Sequence, residues 1–236
     1  MKCYYDFHIH SALSPCSDND MTPNNIVNMA YLKGLNAIAI TDHNSTKNVR
    51  AAIKIGEELG ITVIAGMEIE TKEEVHILSL FPTVELAEKA EKIIRGNLPQ
   101  IMNKENIFGE QIIIDENDNV VGKEEQMLIT ATSLSINDVF SLVRDCGGVA
   151  IPAHIDRHSY SVLSNLGFIP DELNISTVEI SKKTEDVEEY LKNLSFAQKY
   201  LVIRNSDAHY LGDISEKINY IEVDNNSIQE ILKKFI

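Results

Sequence analysis

At 236 residues, 44% apolar and 24% charged, the chain has the make-up of an ordinary globular protein, long enough for one large α/β domain or two small ones. It contains no run of about 18 apolar residues that would read as a membrane span, the Met1–Phe7 segment lacks the apolar stretch of a signal peptide, and Cys3, Cys16 and Cys146, scattered and without a CxxC pair, fit a reducing cytoplasmic setting. The net charge of −15 opposes nucleic-acid backbones in general, so no duplex-binding face is expected, although bound cations would reverse the sign locally.

Strand-like apolar runs alternate with helix-like periodic segments. Tyr4 to Ile9 reads as a strand, followed by a polar loop from Ser11 to Met21. Thr22-Pro23 then gives an N-cap with proline at the first helical position, and that helix stops at Gly34. A strand over Ala37 to Thr41 leads to a helix carrying Val49, Ala52, Ile53, Gly56 and Leu59 on one face, with Gly60 as its stop. Strands follow over Thr62 to Ala65 and Val75 to Phe81, then a helix over Thr83 to Arg95. Ser135-Ile136-Asn137-Asp138 resembles a capping box opening a helix to Gly147. Further strands are predicted over Val149 to Ile151, Thr177 to Ile180, Leu201 to Arg204 and Tyr220 to Val223, with helices over Thr184 to Ala197 and from Ser227. Such repeated units predict a parallel sheet with helices outside, as a barrel or an open sheet. Residues 97–130 break the rhythm: Ile112-Ile113-Ile114 and Val120-Val121 flank a polar turn, the pattern of a β-hairpin inserted into a single domain spanning 1–236.

The chemistry lies in the histidines. Six of the seven, His8, His10, His43, His76, His154 and His209, fall at or just after predicted strands, and ligands bind at strand ends on one face of a parallel α/β fold. His8-Ile9-His10 puts two imidazoles on one strand face, as period-two alternation requires. Thr41-Asp42-His43, Gly66-Met67-Glu68, Glu74-Val75-His76, Pro152-Ala153-His154 and Ser206-Asp207-Ala208-His209 follow in order. Each alone could be a satisfied buried polar residue. Burying all of them without cations would cost far more than burying one.

That ordered succession resembles the PHP (polymerase and histidinol phosphatase) family, over essentially the whole chain from Asp6 to Tyr210. The resemblance implies a distorted (β/α)7 TIM-like barrel with two or three divalent metal ions at the C-terminal ends of the strands, and hydrolysis of phosphoesters. Carried over, it implies that His8, His10, Glu68 and Asp207 hold one metal. Glu68 then bridges to a second, completed by His76 and His154, while His43 and His209 belong to a remaining site. The extra ligand of that site, a carboxylate or histidine, falls in the loop after HxH, where Asp18 matches best and Asp20 is the alternative; the competing reading makes both ordinary turn residues. Asp207, His209 and Glu68 are the implied catalytic groups.

The mixed imidazole and carboxylate set suits Zn, Mn or Fe better than Mg. Two such ions can activate water and clamp an in-line displacement. No serine or cysteine nucleophile stands in a triad context, and Cys16 reads as a spectator thiol. Asp42 is expected to orient a ligand by accepting its N–H. Arg157 offers a bidentate fork to substrate phosphate, unless it is only a loop ion pair, and His158 could donate a proton. Tyr160 and the Lys182-Lys183 pair are further residues near the mouth. The favoured substrate is a small phosphomonoester such as a nucleotide, with 5'-3' exonuclease-like removal of nucleotides from short oligonucleotides as a variant. An amidohydrolase-type barrel cleaving C–N bonds fits the HxH pair, but the bridging lysine expected there is not evident. A non-catalytic, metal-stabilised domain would be expected to have lost ligands.

Overall fold

The computed structural model describes residues 1–192, 194 and 199–236. In chain order the strands are β1 (Lys2–Ile9), β2 (Ala37–Ile40), β3 (Thr62–Glu70), β4 (His76–Phe81), β5 (Ile112–Ile114), β6 (Val120–Lys123), β7 (Val149–Pro152), β8 (Thr177–Ser181), β9 (Leu201–Asn205) and β10 (Tyr220–Glu222). The helices are α1 (Pro23–Leu32), α2 (Val49–Leu59), α3 (Val84–Gly96), α4 (Glu105–Phe108), α5 (Ile136–Asp145), α6 (Val162–Leu166), α7 (Val187–Lys192) and α8 (Ile228–Leu232). Local signals act where the sequence places them. The Thr22 side chain caps α1 by accepting from the Asn25 N–H, Gly60 closes α2 at φ 73°, and Ser135 and Asp138 form a reciprocal capping box on α5. The helix expected over Thr184 to Ala197 is observed as α7; Ala197 itself lies outside the described residues.

A six-stranded sheet runs in the order β10-β1-β2-β3-β4-β7, with β8 and β9 as a separate parallel pair. The sheet curls into a half-barrel. Its open sides are tied by the Ile155 N–H donating to the Glu179 carbonyl at 2.9 Å, and by a bridge between Ile9 and Ala208. The α/β architecture is therefore barrel-like, but the strand order is not wholly parallel as the β–α rhythm suggested. β4 runs antiparallel to both β3 and β7. The cause is local: no helix separates β3 from β4, because Thr71–Val75 closes a tight turn in which Thr71 bonds Val75, with Glu74 at φ 57°. Residues 97–130 contain α4 and the β5–β6 antiparallel ribbon.

Two apolar layers fix which way each strand faces. Helices pack on the outer layer through Ile26, Val27, Ala52, Ile55, Phe140 and Val143 against Ile38, Ile40, Met67 and Ile69. Inside the curl lie Phe7, Ala39, Ile64, Leu78, Leu80, Ile151 and Ile203, plugged below by Phe235. The inward positions continue up each strand into polar groups: Ile64 is followed at period two by Gly66 and Glu68, Leu78 by His76, and Ile203 by Asn205 and Asp207. On β1 strict alternation would put Phe7 and Ile9 on one face. The register irregularity between Asp6 and Ile9 separates them, Phe7 to the inner layer and Ile9 to the outer.

Gly66 of β3 lies close against the end of β2 beneath the polar layer. A Cβ there would lie 2.6 Å from Thr41 Cγ2 and 2.9 Å from the Ile40 carbonyl oxygen. Because backbone cannot yield as a side chain can, Gly66→Ala should destabilise the fold by about 1–3 kcal/mol. Urea unfolding measures this, and an unchanged midpoint would refute the steric argument.

Candidate metal centre

Glu68, only 1% exposed, stands at the centre. His8 Nε2 lies 3.2 Å and His154 Nε2 3.1 Å from Oε1, where His76 Nδ1 also approaches to 2.9 Å. His10 Nε2 at 3.3 Å and His43 Nδ1 at 3.2 Å face Oε2. Five imidazoles from four separate segments thus surround one carboxylate. His76 joins them because β4 is antiparallel: its first residue, not its last, reaches the rim where the other strands end. Asp207 Oδ1 lies 3.2 Å from His10 Nε2 and 3.5 Å from His8 Nε2, and His209 Nδ1 bonds the Asp207 carbonyl at 2.9 Å. Two of these residues hold left-handed backbone, His154 at φ 29° and Asp207 at φ 51°, a strain of about 1–3 kcal/mol each that such sites commonly carry.

An outer layer of hydrogen bonds sets the tautomers. His8 Nδ1–H donates to Glu179, whose carboxylate also accepts from the His154 N–H at 2.8 Å and from Asn205 at 2.7 Å. Ser14 Oγ donates to Asp42 at 2.7 Å and accepts from His10 Nδ1–H at 2.9 Å. Asp42 orients His10 through this hydroxyl rather than by holding an imidazole N–H itself. Anchoring His209 Nδ1–H on a carbonyl likewise leaves its Nε2 bare.

With Nδ1 protonated in His8 and His10, both Nε2 lone pairs point at each other, 3.3 Å apart, and at two carboxylates. Four acceptor atoms then converge with no donor among them. Protons or metal cations must fill the gap. Burial opposes charge on His8, but Glu179, then Glu68 and Asp207, outweigh it and hold the imidazole well above its ordinary value. The same contest, burial against hydrogen bonds to Asp207 and Glu68, raises His10 to about 9. Glu68 is held well below the carboxylate range, burial being overcome by His76 and His8; for Asp207 the neighbours that overcome it are His8 and His10. Burial first, then the charge on His10, push His43 well below its ordinary value and His209 down to about 4.

The residues fit metal. Two nitrogens each about 2.0–2.1 Å from a tetrahedral Zn²⁺ sit about 3.3 Å apart, the separation seen between His8 and His10. His43 Nδ1 and His154 Nδ1 are buried without a hydrogen-bond partner. His8, His10 and Asp207 form one group with ligand atoms within 4.8 Å of one another, and His43, Glu68 and His76 form another.

Other residues from the sequence reading fall differently. Asp18 is exposed, its carboxylate accepts from the Asp20 N–H at 2.8 Å, and it joins none of the groups of ligand atoms found among the described residues; Asp20 is exposed as well. Cys16 is the loop residue that does approach His10, His43 and His209. Arg157 pairs with the outer oxygen of Asp207, whereas His158 is solvent-exposed outside these groups. Tyr160 stacks on His76 with ring centroids 4.9 Å apart. Arg157, Lys182, Lys183 and Tyr210 line a cleft of about 260 Å³ beside Asp207 and His209. Sequence reasoning missed Glu179, Asn205 and Ser14. Only Glu179 left a signal: one acidic residue inside the apolar run Val178–Ile180.

The PHP domain model matches residues 6–144. The chain belongs to the PHP domain family. It is 37% identical over 79 residues to a 5'-3' exoribonuclease of Haemophilus influenzae, and 36% identical over 80 residues to a phosphoribosyl 1,2-cyclic phosphate 1,2-diphosphodiesterase of Eggerthella lenta. Each match covers 32% of this chain, and it spans only 28% and 29% of those relatives' lengths. In fold the chain is similar to the lesion-specific endonuclease EndoQ of Pyrococcus furiosus, with a TM-score of 0.74 at 20% identity over 99% of this chain and 55% of that one. A second Endonuclease Q structure, at TM-score 0.72 and 19% identity over 99% of this chain and 56% of that one, holds a 27-mer duplex with an abasic lesion at the active site. The exclusion of duplex nucleic acid drawn from net charge therefore finds no support. A total of −15 describes the whole surface, while what a rim accepts depends on local charge such as Arg157, Lys182 and Lys183.

Two predictions follow from this network. Glu179→Gln, which keeps shape but weakens the hold on His8, should lower metal affinity about 10–100-fold. Chelator competition measures it, and unaltered affinity would remove Glu179 from the orienting role. The second concerns acidity in the metal-free protein. His10, at about 9 against an ordinary 6.5, holds its proton more tightly when folded, so stability is lost as pH rises from 6.5 through 9. His209, at about 4, acts oppositely, and stability is lost as pH falls from 6.5 towards 4. The melting temperature in chelator should peak near pH 6.5, and added zinc should abolish the alkaline loss. A melting temperature in chelator that climbs steadily through pH 9 would contradict the cluster's electrostatics.

Proposed function

We propose that the chain hydrolyses phosphoesters, holding two or three divalent metal ions of the Zn, Mn or Fe type in the histidine–carboxylate cluster and seating a small phosphorylated group in the adjoining cleft. The observation that carries this is the convergence of imidazole and carboxylate lone pairs on a buried point with no donor among them. His8, His10, Glu68 and Asp207 would hold one ion, Glu68 with His76 and His154 a second, and His43 with His209 a third. When bound, such ions supply Lewis-acid stabilisation and an activated water for in-line displacement at phosphorus.

The chain's own groups do the rest. Arg157 borders the cleft beside Asp207 and can turn its fork to two phosphate oxygens. His209, kept neutral at physiological pH, offers Nε2 as a lone pair, while Asp207 keeps its charge. Lys183 adds positive charge at the mouth, where Lys182 is paired with Asp213. A cleft of about 260 Å³ suits a single phosphorylated unit, which supports a phosphomonoester or one terminal nucleotide rather than a long strand held throughout its length. The likeness to the Haemophilus exoribonuclease supports the second form, stepwise removal of nucleotides from short oligonucleotides.

The test is a screen of nucleoside monophosphates, sugar phosphates and 5'-phosphorylated oligonucleotides, with Mn²⁺, Zn²⁺ or Fe²⁺ returned to stripped protein. Asp207→Asn should cut turnover at least about 10²–10³-fold, the scale of losing one charge-stabilising group at a reacting centre, with the fold intact by circular dichroism. Full activity in that variant, or no turnover of any phosphoester by the metal-loaded protein, would overturn the proposal.

A further inference from the structure

The loop after His10 brings a thiol, rather than a carboxylate, to the edge of the cluster. It is stitched to the site just after Cys16: Ser17 Oγ donates to the His10 carbonyl at 3.3 Å, and the Asp18 N–H donates to the His209 carbonyl at 2.9 Å. On its outer side Gly109, at φ 98°, presses so closely on the Pro15 carbonyl that no Cβ would fit. These constraints place Cys16 over the cluster. Its Sγ and a ring nitrogen from each of His10, His43 and His209 all lie within 4.8 Å of one another. His43 is 6% exposed, and its Nδ1, although 3.2 Å from Glu68 Oε2, makes no hydrogen bond and is left as a buried atom for a cation to satisfy. Cys16 is unpaired with another cysteine and exposed, whereas Cys3 and Cys146 are buried.

We propose that Cys16 is a metal ligand, and that the ion held by His43 and His209 sits in a mixed thiolate–imidazole site. This rests on the reading of the histidine cluster as metal-binding. On binding, the Cys16 S–H bond breaks, its proton leaves to solvent and the sulfur lone pair makes the bond to the cation. A soft thiolate beside imidazoles selects Zn²⁺ or Fe²⁺ over Mg²⁺ and Mn²⁺. One ion of the cluster therefore differs from the others, which meet only nitrogen and oxygen.

Stripped full-length protein is titrated with Co²⁺ and followed by absorption, alongside Cys16→Ser and Cys16→Asp. The wild type should show a near-ultraviolet sulfur-to-cobalt charge-transfer band. Both variants should lack it, with circular dichroism of the metal-free proteins unchanged. Cys16→Ser should weaken one cobalt equivalent by at least about 10–100-fold, the loss known for removing merely a ligand's supporting partner. Cys16→Asp should keep that equivalent and shift it from zinc towards manganese. In the wild type, zinc should also protect Cys16 from an aromatic disulfide reagent. Cobalt bound at full stoichiometry without a sulfur band would overturn the thiolate assignment while leaving the histidine cluster standing. Failure of the wild type to take up any cobalt or zinc would overturn both.

Discussion

The structure is organised around a buried shortage of positive charge. Glu68 and Asp207 stand in the interior among imidazoles whose outer nitrogens are already committed, His8 to Glu179 and His10 to Ser14. What remains facing inward is a set of lone pairs and carboxylate oxygens that repel one another until a cation arrives. Protons fill the gap in the metal-free chain, which is why His8 and His10 hold theirs so tightly. Metal ions displace those protons, so binding, pH and stability are one linked equilibrium.

The fold supplies the two things such a cluster needs: convergence and rigidity. Convergence comes from the curl, which brings segments as far apart in sequence as His8 and Asp207 within 3.5 Å. The antiparallel β4 contributes by its beginning what the parallel strands contribute by their ends. Rigidity comes from the layer beneath, where Leu78, Leu80, Ile64 and Phe7 pack the interior directly under the polar groups. Left-handed backbone at His154 and Asp207 is affordable only on such a foundation.

Charge at the mouth works on a smaller scale than charge on the molecule. The surface as a whole is strongly acidic, yet Arg157, Lys182 and Lys183 line the cleft beside the cluster, the first two paired with Asp207 and Asp213. Screening confines each field to about 8–10 Å at ordinary ionic strength, so a substrate phosphate at the cleft meets the rim and not the average.

Much of the outline was readable in the chain. Alternation placed His8 and His10 together; caps at Thr22 and Ser135 and the stop at Gly60 marked helices; and the ordered histidine motifs pointed to PHP-type chemistry, because these signals are carried by neighbours in sequence. Three features were decided only by tertiary structure. β4 reversed direction because the five-residue turn Thr71–Val75 returns the chain without a crossover helix, where the β–α rhythm had suggested parallel strands. Glu179 and Ser14 became orienting partners because the curl brought β8 and the loop after β1 against His8 and His10. Cys16 rather than Asp18 came to lie over His43 and His209 because hydrogen bonds to the backbone of His10 and His209 set that loop's path. Sequence spacing names the residues able to bind a cation, but where a loop's side chains point depends on contacts made with distant segments, and no local rule contains those.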